Sequence, residues 1–304
     1  MKIAILADIH GNYHGLEAIL EDIEQEKPDV VVSAGDLIGG SLYPHSPQVW
    51  HTLRALHIPK VLGNQEDFVI TYYQPDPNPL IQTSVQFRPT QYVARQFTQP
   101  DVDEMKALPM HVTLEGPDGQ NVLICHASPH TLQRSFAETL DERMASELAK
   151  ISASAIVGGH LHKQWHRHWG GKLLILAGGG GLPLQEEHVA EYLLLTYRRK
   201  EWQFQYKTLP FDHRAALESV LESPILEQSG PIGWLMLDEL LVQQDRLMPF
   251  FHEYCARPYP ESWNGWATSV IDYLKHLGRW EAVKPYLMAQ GIRLPQTSQG
   301  WENL

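Results

Sequence analysis

Hydrophobic positions along the chain fall into two textures that meet near residue 208. In the first, short apolar runs at 3–7, 30–33, 60–62, 122–125 and 155–157 lack polar alternation, as in strands covered on both faces. Between the early runs, Leu16, Ile19, Leu20 and Ile23 recur at i, i+3, i+4 and i+7, and Val49, Leu53, Leu56 and His57 follow a similar spacing. A helix is predicted in each interval, and the β-α-β-α order defines an α/β fold. From 164 to 207 the pattern turns to strands alone, at 164–169, 172–177, 191–197 and 202–207, with Gly170-Gly171 as the first turn. Strands appended in a meander to a β-α-β core predict two packed sheets. Residues 74–100 are rich in Pro, Gln and Thr, which predicts an irregular insertion or cap.

After about 211 the chain reads as helical. Trp266, Val270, Tyr273, Leu274 and Leu277 share one helix face, and five of the nine tryptophans (Trp234, Trp263, Trp266, Trp280 and Trp301) fall in this tail. That aromatic surface calls for burial, against the rest of the chain or in a homo-oligomeric contact. Residues 273–283 faintly resemble one tetratricopeptide unit, but no second copy follows, so an ordinary helical hairpin is expected. The boundary is placed between a domain at 1–211 and a helical extension at 212–304.

Hydrophobic residues make up 43% and charged residues 20%, which excludes a disordered chain or a coiled coil. The formal charge of −12 argues against sequence-blind binding to nucleic acid, which needs a cationic face. Two cysteines cannot build a disulfide framework, and Cys125, ending an apolar run, is expected to pack as a small hydrophobe. The start lacks the apolar core and cleavage site of a signal peptide, and no apolar run approaches the ~18–20 residues of a membrane span. A cytoplasmic protein is the expectation.

Chemistry enters with the polar residues that follow the apolar runs. Asp8 and His10 follow the first; Asp36 follows the second through Ala34-Gly35; Asn64 follows the third through Gly63; His126 follows the fourth; His160 and His162 follow the fifth through Gly158-Gly159. The C-terminal edge of strands is where open α/β sheets bind ligands, and small residues before each side chain let the loops crowd together. Each motif alone is common, but five in register converge on one site. Asp, Asn and His without Cys suit borderline to hard divalent ions: Mn²⁺ first, with Fe²⁺, Zn²⁺, Ni²⁺ or Mg²⁺ as alternatives. Seven ligands exceed a structural zinc site and suffice for two ions sharing a carboxylate. Two such ions about 3.5–4 Å apart clamp an in-line displacement at phosphorus.

In this order, Asp8-Ile-His10-Gly-Asn, Gly35-Asp36, Gly63-Asn64, His126 and Gly159-His160-Leu-His162 resemble the signature of the calcineurin-like metallophosphoesterases, in particular the small bacterial and archaeal phosphodiesterase branch. The resemblance spans roughly 1–210. It implies a four-layer αββα sandwich and hydrolysis of phosphodiesters or activated phosphate esters by a metal-bridging hydroxide. It also implies that Asp8, His10, Asp36 and His162 hold one ion and Asp36, Asn64, His126 and His160 the other. Asn64, Gln65 and His130 are the candidate catalytic residues beside the ions.

Two departures matter. Many relatives carry His after the Asn, able to protonate a leaving group, whereas here the residue is Gln65, which can hydrogen-bond but not give up a proton. An Asn-Pro-Gly-Ser turn of many relatives is replaced by Gly178-Gly-Gly-Gly181, read as a flexible turn. His130, four residues past His126, is placed on a loop bordering the site and could touch substrate. His14, His166, His168 and His188 are read as structural. The competing functions are a non-catalytic protein-interaction scaffold on the same fold, and a dinucleoside-polyphosphate or protein phosphatase.

Overall fold

The computed structural model describes residues 1–75, 79–138, 140–184, 188–255 and 257–295; Trp301 lies outside them. Two mixed sheets form the centre. The first has the order β2-β1-β8-β9 and the second β3-β4-β5-β7-β6. The strands are β1 (Lys2–Leu6), β2 (Val30–Ser33), β3 (His111–Leu114), β4 (Val122–Cys125), β5 (Ala155–Gly158), β6 (Gln164–Trp169), β7 (Lys172–Ala177), β8 (Val189–Arg198) and β9 (Glu201–Pro210). β1 pairs in parallel with β2 and antiparallel with β8, while β5 lies parallel to both β4 and β7.

Why the central runs show no alternation is visible in β1. Ile3 and Ile5 join Val122, Ile124, Val157 and Ile175 between the sheets, while Ala4 and Leu6 turn the other way, onto a helical layer with Leu16, Ile19 and Trp50. On the far side Leu123, Ile156 and Leu174 meet Phe136, Met144 and Leu148. These clusters are the three interfaces of an αββα sandwich, as expected. The helices of the first outer layer include α1 (Tyr13–Glu26), α2 (Ser46–Ala55) and α3 (Asn64–Tyr72); α7 (Glu142–Ala149) covers the second sheet. Asn12 caps α1, its side chain accepting from Gly15 N at 2.9 Å.

Several expectations are corrected. Residues 60–62 form a single bridge, Ser33 to Lys60, because Leu62 N already turns away to Pro109 O at 2.9 Å. α2 ends at Ala55, leaving Leu56 exposed. β3 was not foreseen; it is a short edge strand with alternating exposure and two polar residues. The Pro-rich stretch after 79 is largely helical: α4 (Leu80–Thr83), a 3₁₀ turn (Val85–Phe87), α5 (Arg88–Ala94) and α6 (Gln99–Lys106). Pro89 and Pro100 occupy first-turn positions, where a missing N–H costs no intrahelical bond. The prolines start helices here.

The tail forms α8 (His213–Glu222), α9 (Ile225–Val242), α10 (Leu247–Pro249), α11 (Trp263–His276) and α12 (Trp280–Ala289), with a π-helical turn at Phe250–Tyr254. Trp234, Trp266 and Phe250 are buried in a cluster that also takes in Leu42, Tyr43 and Leu182 from the sandwich side. The tail therefore packs on the sandwich and shares a core with it. α9 bends at Gly230, whose φ of 61° precedes Pro231. At its end, buried Asp238 accepts from Arg246 Nε at 2.7 Å and Arg279 Nε at 2.8 Å. Neighbouring Glu239 accepts from the backbone N of Arg246 and Leu247 at 2.8 and 3.1 Å. These bonds fix the 246–252 segment over the sandwich edge.

Candidate metal centre

All seven candidate ligands arrive at one edge of the two sheets. Asp8 and His10 leave β1, Asp36 follows β2, Asn64 opens α3, His126 follows β4, and His160 and His162 follow β5. Asp8, His10, Asp36, His160 and His162 all have left-handed backbone, with φ of 54°, 51°, 53°, 76° and 50°. For non-glycine residues such conformations cost roughly 1–3 kcal/mol each and persist only where surrounding contacts impose them. Here the imposing contacts are backbone bonds between loops: Asp8 N to Gly35 O at 3.1 Å, His10 N to Asp36 O at 3.1 Å, and Gly159 N to His126 O at 3.0 Å. Gly35 and Gly159 permit the approach, since a Cβ at Gly35 would stand 2.9 Å from Gly63 Cα and one at Gly159 2.7 Å from Asp8 Oδ2.

The glycine run expected to be a flexible turn is instead buried and bonded. Gly180 N donates to Ala7 O at 2.8 Å and Gly181 N to Asp8 O at 2.9 Å, while Asn12 Nδ2 donates to Gly181 O at 2.8 Å. Without side chains this strap lies directly against the Asp8 loop.

The hydrogen bonds decide which atoms face inward. His10 Nδ1 lies 2.8 Å from Gly39 O and His162 Nδ1 2.9 Å from Leu182 O. Carbonyl oxygens only accept, so each Nδ1 carries the hydrogen and each Nε2 keeps its lone pair. The two Nε2 atoms then face one another at 2.9 Å. Burial holds both imidazoles below their ordinary range, His162 well below, so the neutral forms prevail. Two lone pairs at that separation repel unless a cation sits beside them. Asp8 Oδ1 approaches these nitrogens at 3.9 and 4.0 Å, and Asp36 Oδ2 stands 3.8 Å from His10 Nε2.

A second donor group lies alongside. His126 Nδ1 donates to Ala34 O at 2.9 Å, directing Nε2 toward Asn64 Oδ1 at 2.9 Å and Asp36 Oδ2 at 3.4 Å. Asn64 Oδ1 is also 3.0 Å from His160 Nδ1. Asp36 Oδ2 is thus near ring nitrogens of both groups, and its Oδ1 is occupied by Gln65 N at 2.8 Å. Asp8, His10 and His162, and separately Asp8, Asp36 and His126, present ligand atoms within 4.8 Å of one another. Asp8 belongs to both sets, an overlap absent from the sequence reading.

Charge follows from this crowding. Burial drives Asp8 well above the ordinary carboxylate range, with the Asp36 charge adding to it. Burial alone would do the same to Asp36, but the His126 charge and hydrogen bond outweigh it and hold Asp36 low. Burial opposes protonation of His126, yet Asp36 raises it to about 9. His160 is lowered to about 4 by burial and by His126.

Glu66 is a residue that the sequence reading missed. Fully buried, it accepts from Asp36 N at 3.0 Å, Leu37 N at 2.8 Å and Gly63 N at 3.0 Å. It ties the Asp36 loop to the Asn64 loop. Burial, followed by the Asp36 charge, pushes its carboxyl up to about 7. The available signal was a Glu at the third helical position after Gly63, before an apolar run.

A cavity of about 570 Å³ opens over the cluster, bordered by His10, Asp36, Asn64, Gln65, His160 and His162. Gln65 is brought to it but His130 is not: His130 is exposed and lines a separate cavity with Arg134 and Arg143. The same loop sends Gln133 and Glu138 to the site instead, and the tail adds Glu239, Asp245, Leu247, Met248 and His252. Of the histidines expected to be structural, His166 packs on Phe204, and His188 stacks on His213 at 3.5 Å.

Two packed sheets with this Asp, Asn and His cluster at one edge have the layout of a phosphoesterase domain of the two-sheet type. The calcineurin-like phosphoesterase superfamily domain matches residues 1–200, and the chain belongs to that family. The fold is similar to a metallophosphoesterase from Sphaerobacter thermophilus, at 19% identity and a TM-score of 0.60, covering 80% of this chain and 100% of that one. It is similar also to the hypothetical protein PH1004 from Pyrococcus horikoshii OT3, at 15% identity and 0.65, covering 81% and 99%. Comparison with curated proteins gives no match. Family membership implies divalent metal binding, and the opposed nitrogen lone pairs and flanking carboxylates fit such ions. Among the described residues, no helix is long and apolar enough to cross a membrane.

Proposed function

We propose that the chain is a phosphodiesterase that works with two divalent ions. Asp8, His10, Asp36 and His162 hold one ion; Asp36, Asn64, His126 and His160 hold the other. The carrying observation is the pair of imidazole Nε2 lone pairs aimed at each other at 2.9 Å beside buried carboxylates, an arrangement that a cation relieves. When bound, the two ions supply an activated water and polarise the phosphoryl oxygens. The chain's own residues do the rest. Backbone carbonyls of Gly39, Ala34 and Leu182 fix the imidazole tautomers, and Gln65 N holds Asp36 so that Oδ2 faces both groups.

The preference for diesters rests on the cavity wall. None of the described lining residues is Lys or Arg, whereas Glu138 and Asp245 border the space beyond the cluster. Glu239 borders it too, but burial pushes its carboxyl up to about 8, so it adds little charge there near neutral pH. Such a wall disfavours a monoester dianion more than a diester monoanion. Gln65 adds a hydrogen-bonding amide but no proton for the leaving group. The test is turnover of an aryl phosphodiester and the matching monoester by metal-stripped protein given Mn²⁺, Ni²⁺, Zn²⁺ or Mg²⁺. Faster diester hydrolysis with at least one ion is expected; no turnover with any ion, or faster monoester hydrolysis, overturns the proposal.

A further inference from the structure

Beside the cavity over the metal cluster lies a second one, of about 370 Å³, and the two share Gly40, Gln65, Leu247, Met248 and His252. Its character is different. Phe68, Phe87, Phe251 and Tyr259 contribute four aromatic rings, and Ile232, Met236 and Pro89 fill between them. The rings are held by one another: Phe68 meets Phe87 edge-on at 5.9 Å, and Phe251 meets Tyr259 edge-on at 5.6 Å. Each pair belongs to a different part of the chain, the helical insertion after β2 and the tail. The pocket therefore exists only because α9 and the π-helical turn at Phe250–Tyr254 lie against α3 and α5.

We infer that this pocket holds an aromatic ester group of the substrate while its phosphate lies over the metal cluster. The inference deepens the phosphodiesterase reading and rests on it. Continuity with the cluster cavity through Gln65 and Met248 gives the occupant its attachment point. The volume is within the roughly 300–1,000 Å³ of small-molecule sites. Edge-on rings present both faces and edges to a flat guest, a geometry that rewards a ring over an alkyl chain of equal area. Gln65, Gln86 and Thr90 provide the few polar atoms that would orient a heteroatom on that ring. A phosphodiester of an aryl alcohol, or one bearing a nucleobase, has this shape.

The test uses unreactive monoanions that differ only in the group on phosphorus: the monomethyl esters of phenyl-, cyclohexyl- and methylphosphonate. Calorimetric titration into the full-length, metal-reconstituted protein reads binding without turnover. The phenyl compound should bind roughly tenfold to a hundredfold more tightly than the methyl compound, and more tightly than the cyclohexyl compound. Thr90→Trp, which fills the pocket, should bring phenyl and methyl within about twofold of each other. Equal affinities for phenyl and methyl in the unmutated protein overturn the inference whatever any variant does, and so does tighter binding of cyclohexyl than of phenyl. Failure of the phosphodiesterase reading looks different: a protein that prefers the phenyl compound but hydrolyses no diester keeps the pocket and loses the reaction.

Discussion

Glu66 offers the sharpest test of how the site is built, because it touches no proposed ion and yet joins two ligand loops. Glu66→Ala removes the acceptor of three buried backbone N–H groups, those of Asp36, Leu37 and Gly63, now at 2.8–3.0 Å. A buried donor left unpaired costs about 1–3 kcal/mol, giving a gross loss of about 3–9 kcal/mol. Part of this is offset because the carboxylate is itself costly to bury, as its rise to about 7 shows. A net destabilisation of about 3–5 kcal/mol is expected. Urea unfolding of the metal-free protein measures it. Competition against a chromophoric chelator then reports metal affinity, expected to fall roughly 10–100-fold because the ligands lose their support. Glu66→Gln keeps one acceptor oxygen and should lie between. A Glu66→Ala protein with unchanged unfolding midpoint and unchanged metal affinity would refute the reasoning.

Further outcomes follow from the same geometry. Asp36→Asn should reduce diester turnover at least about a hundredfold with native circular dichroism, and metal stoichiometry should drop; retention of both ions and near-normal turnover would remove Asp36 from its assigned place. Gln65→His should raise monoester over diester turnover, and an unchanged ratio with unchanged dependence on leaving-group pKa counts against the role given to Gln65. In metal-free protein His126 is raised from 6.5 to about 9, so the stability it provides is complete below about 6.5 and is lost as pH rises through about 9; melting temperatures after chelation should fall across that window, and a flat or rising profile contradicts the Asp36–His126 pairing. His130→Ala should leave diester turnover within about twofold, as for an exposed residue away from the site.

The sandwich was legible because its central strands are buried on both faces, which leaves unbroken apolar runs such as Ile3-Ala-Ile-Leu6. The positions of Asp8, His10, Asp36, His126, His160 and His162 were legible for the same reason, since each follows such a run; Asn64 was legible from its Gly63-Asn64 pair, although residues 60–62 before it form only a bridge. What could not be read was whatever depends on chain segments meeting at a distance. Pro89 and Pro100 mark helix starts and loop turns equally well, so α5 and α6 were hidden. His130 and Glu138 lie on one loop, and only its path past Ala127 and Phe136 decides which faces the cavity. The contribution of Met248 and His252 to the cavity depends on Asp238 and Glu239 holding the 246–252 segment, a relation with no local pattern.

The pairing of β1 with β8 sets an order on the protein's birth. Asp8 and His10 are among the first residues made, yet Ile3 and Ile5 acquire their partners Leu195 and Leu193 only after almost two hundred residues have followed. At ~5–20 residues per second, that interval lasts on the order of ten seconds or more. During it the glycine strap at 178–181, which bonds to Ala7 and Asp8, does not yet exist. The left-handed turns at Asp8 and His10 therefore lack one of the supports that later impose them, and His162 has not joined its partner nitrogen. A nascent chain emerging in this order presents its carboxylates and imidazoles piecemeal. Assembly of the proposed metal centre is in consequence a late event, and a chain stalled before residue 189 would lack the β8 pairing that anchors β1, the strand from which Asp8 and His10 leave.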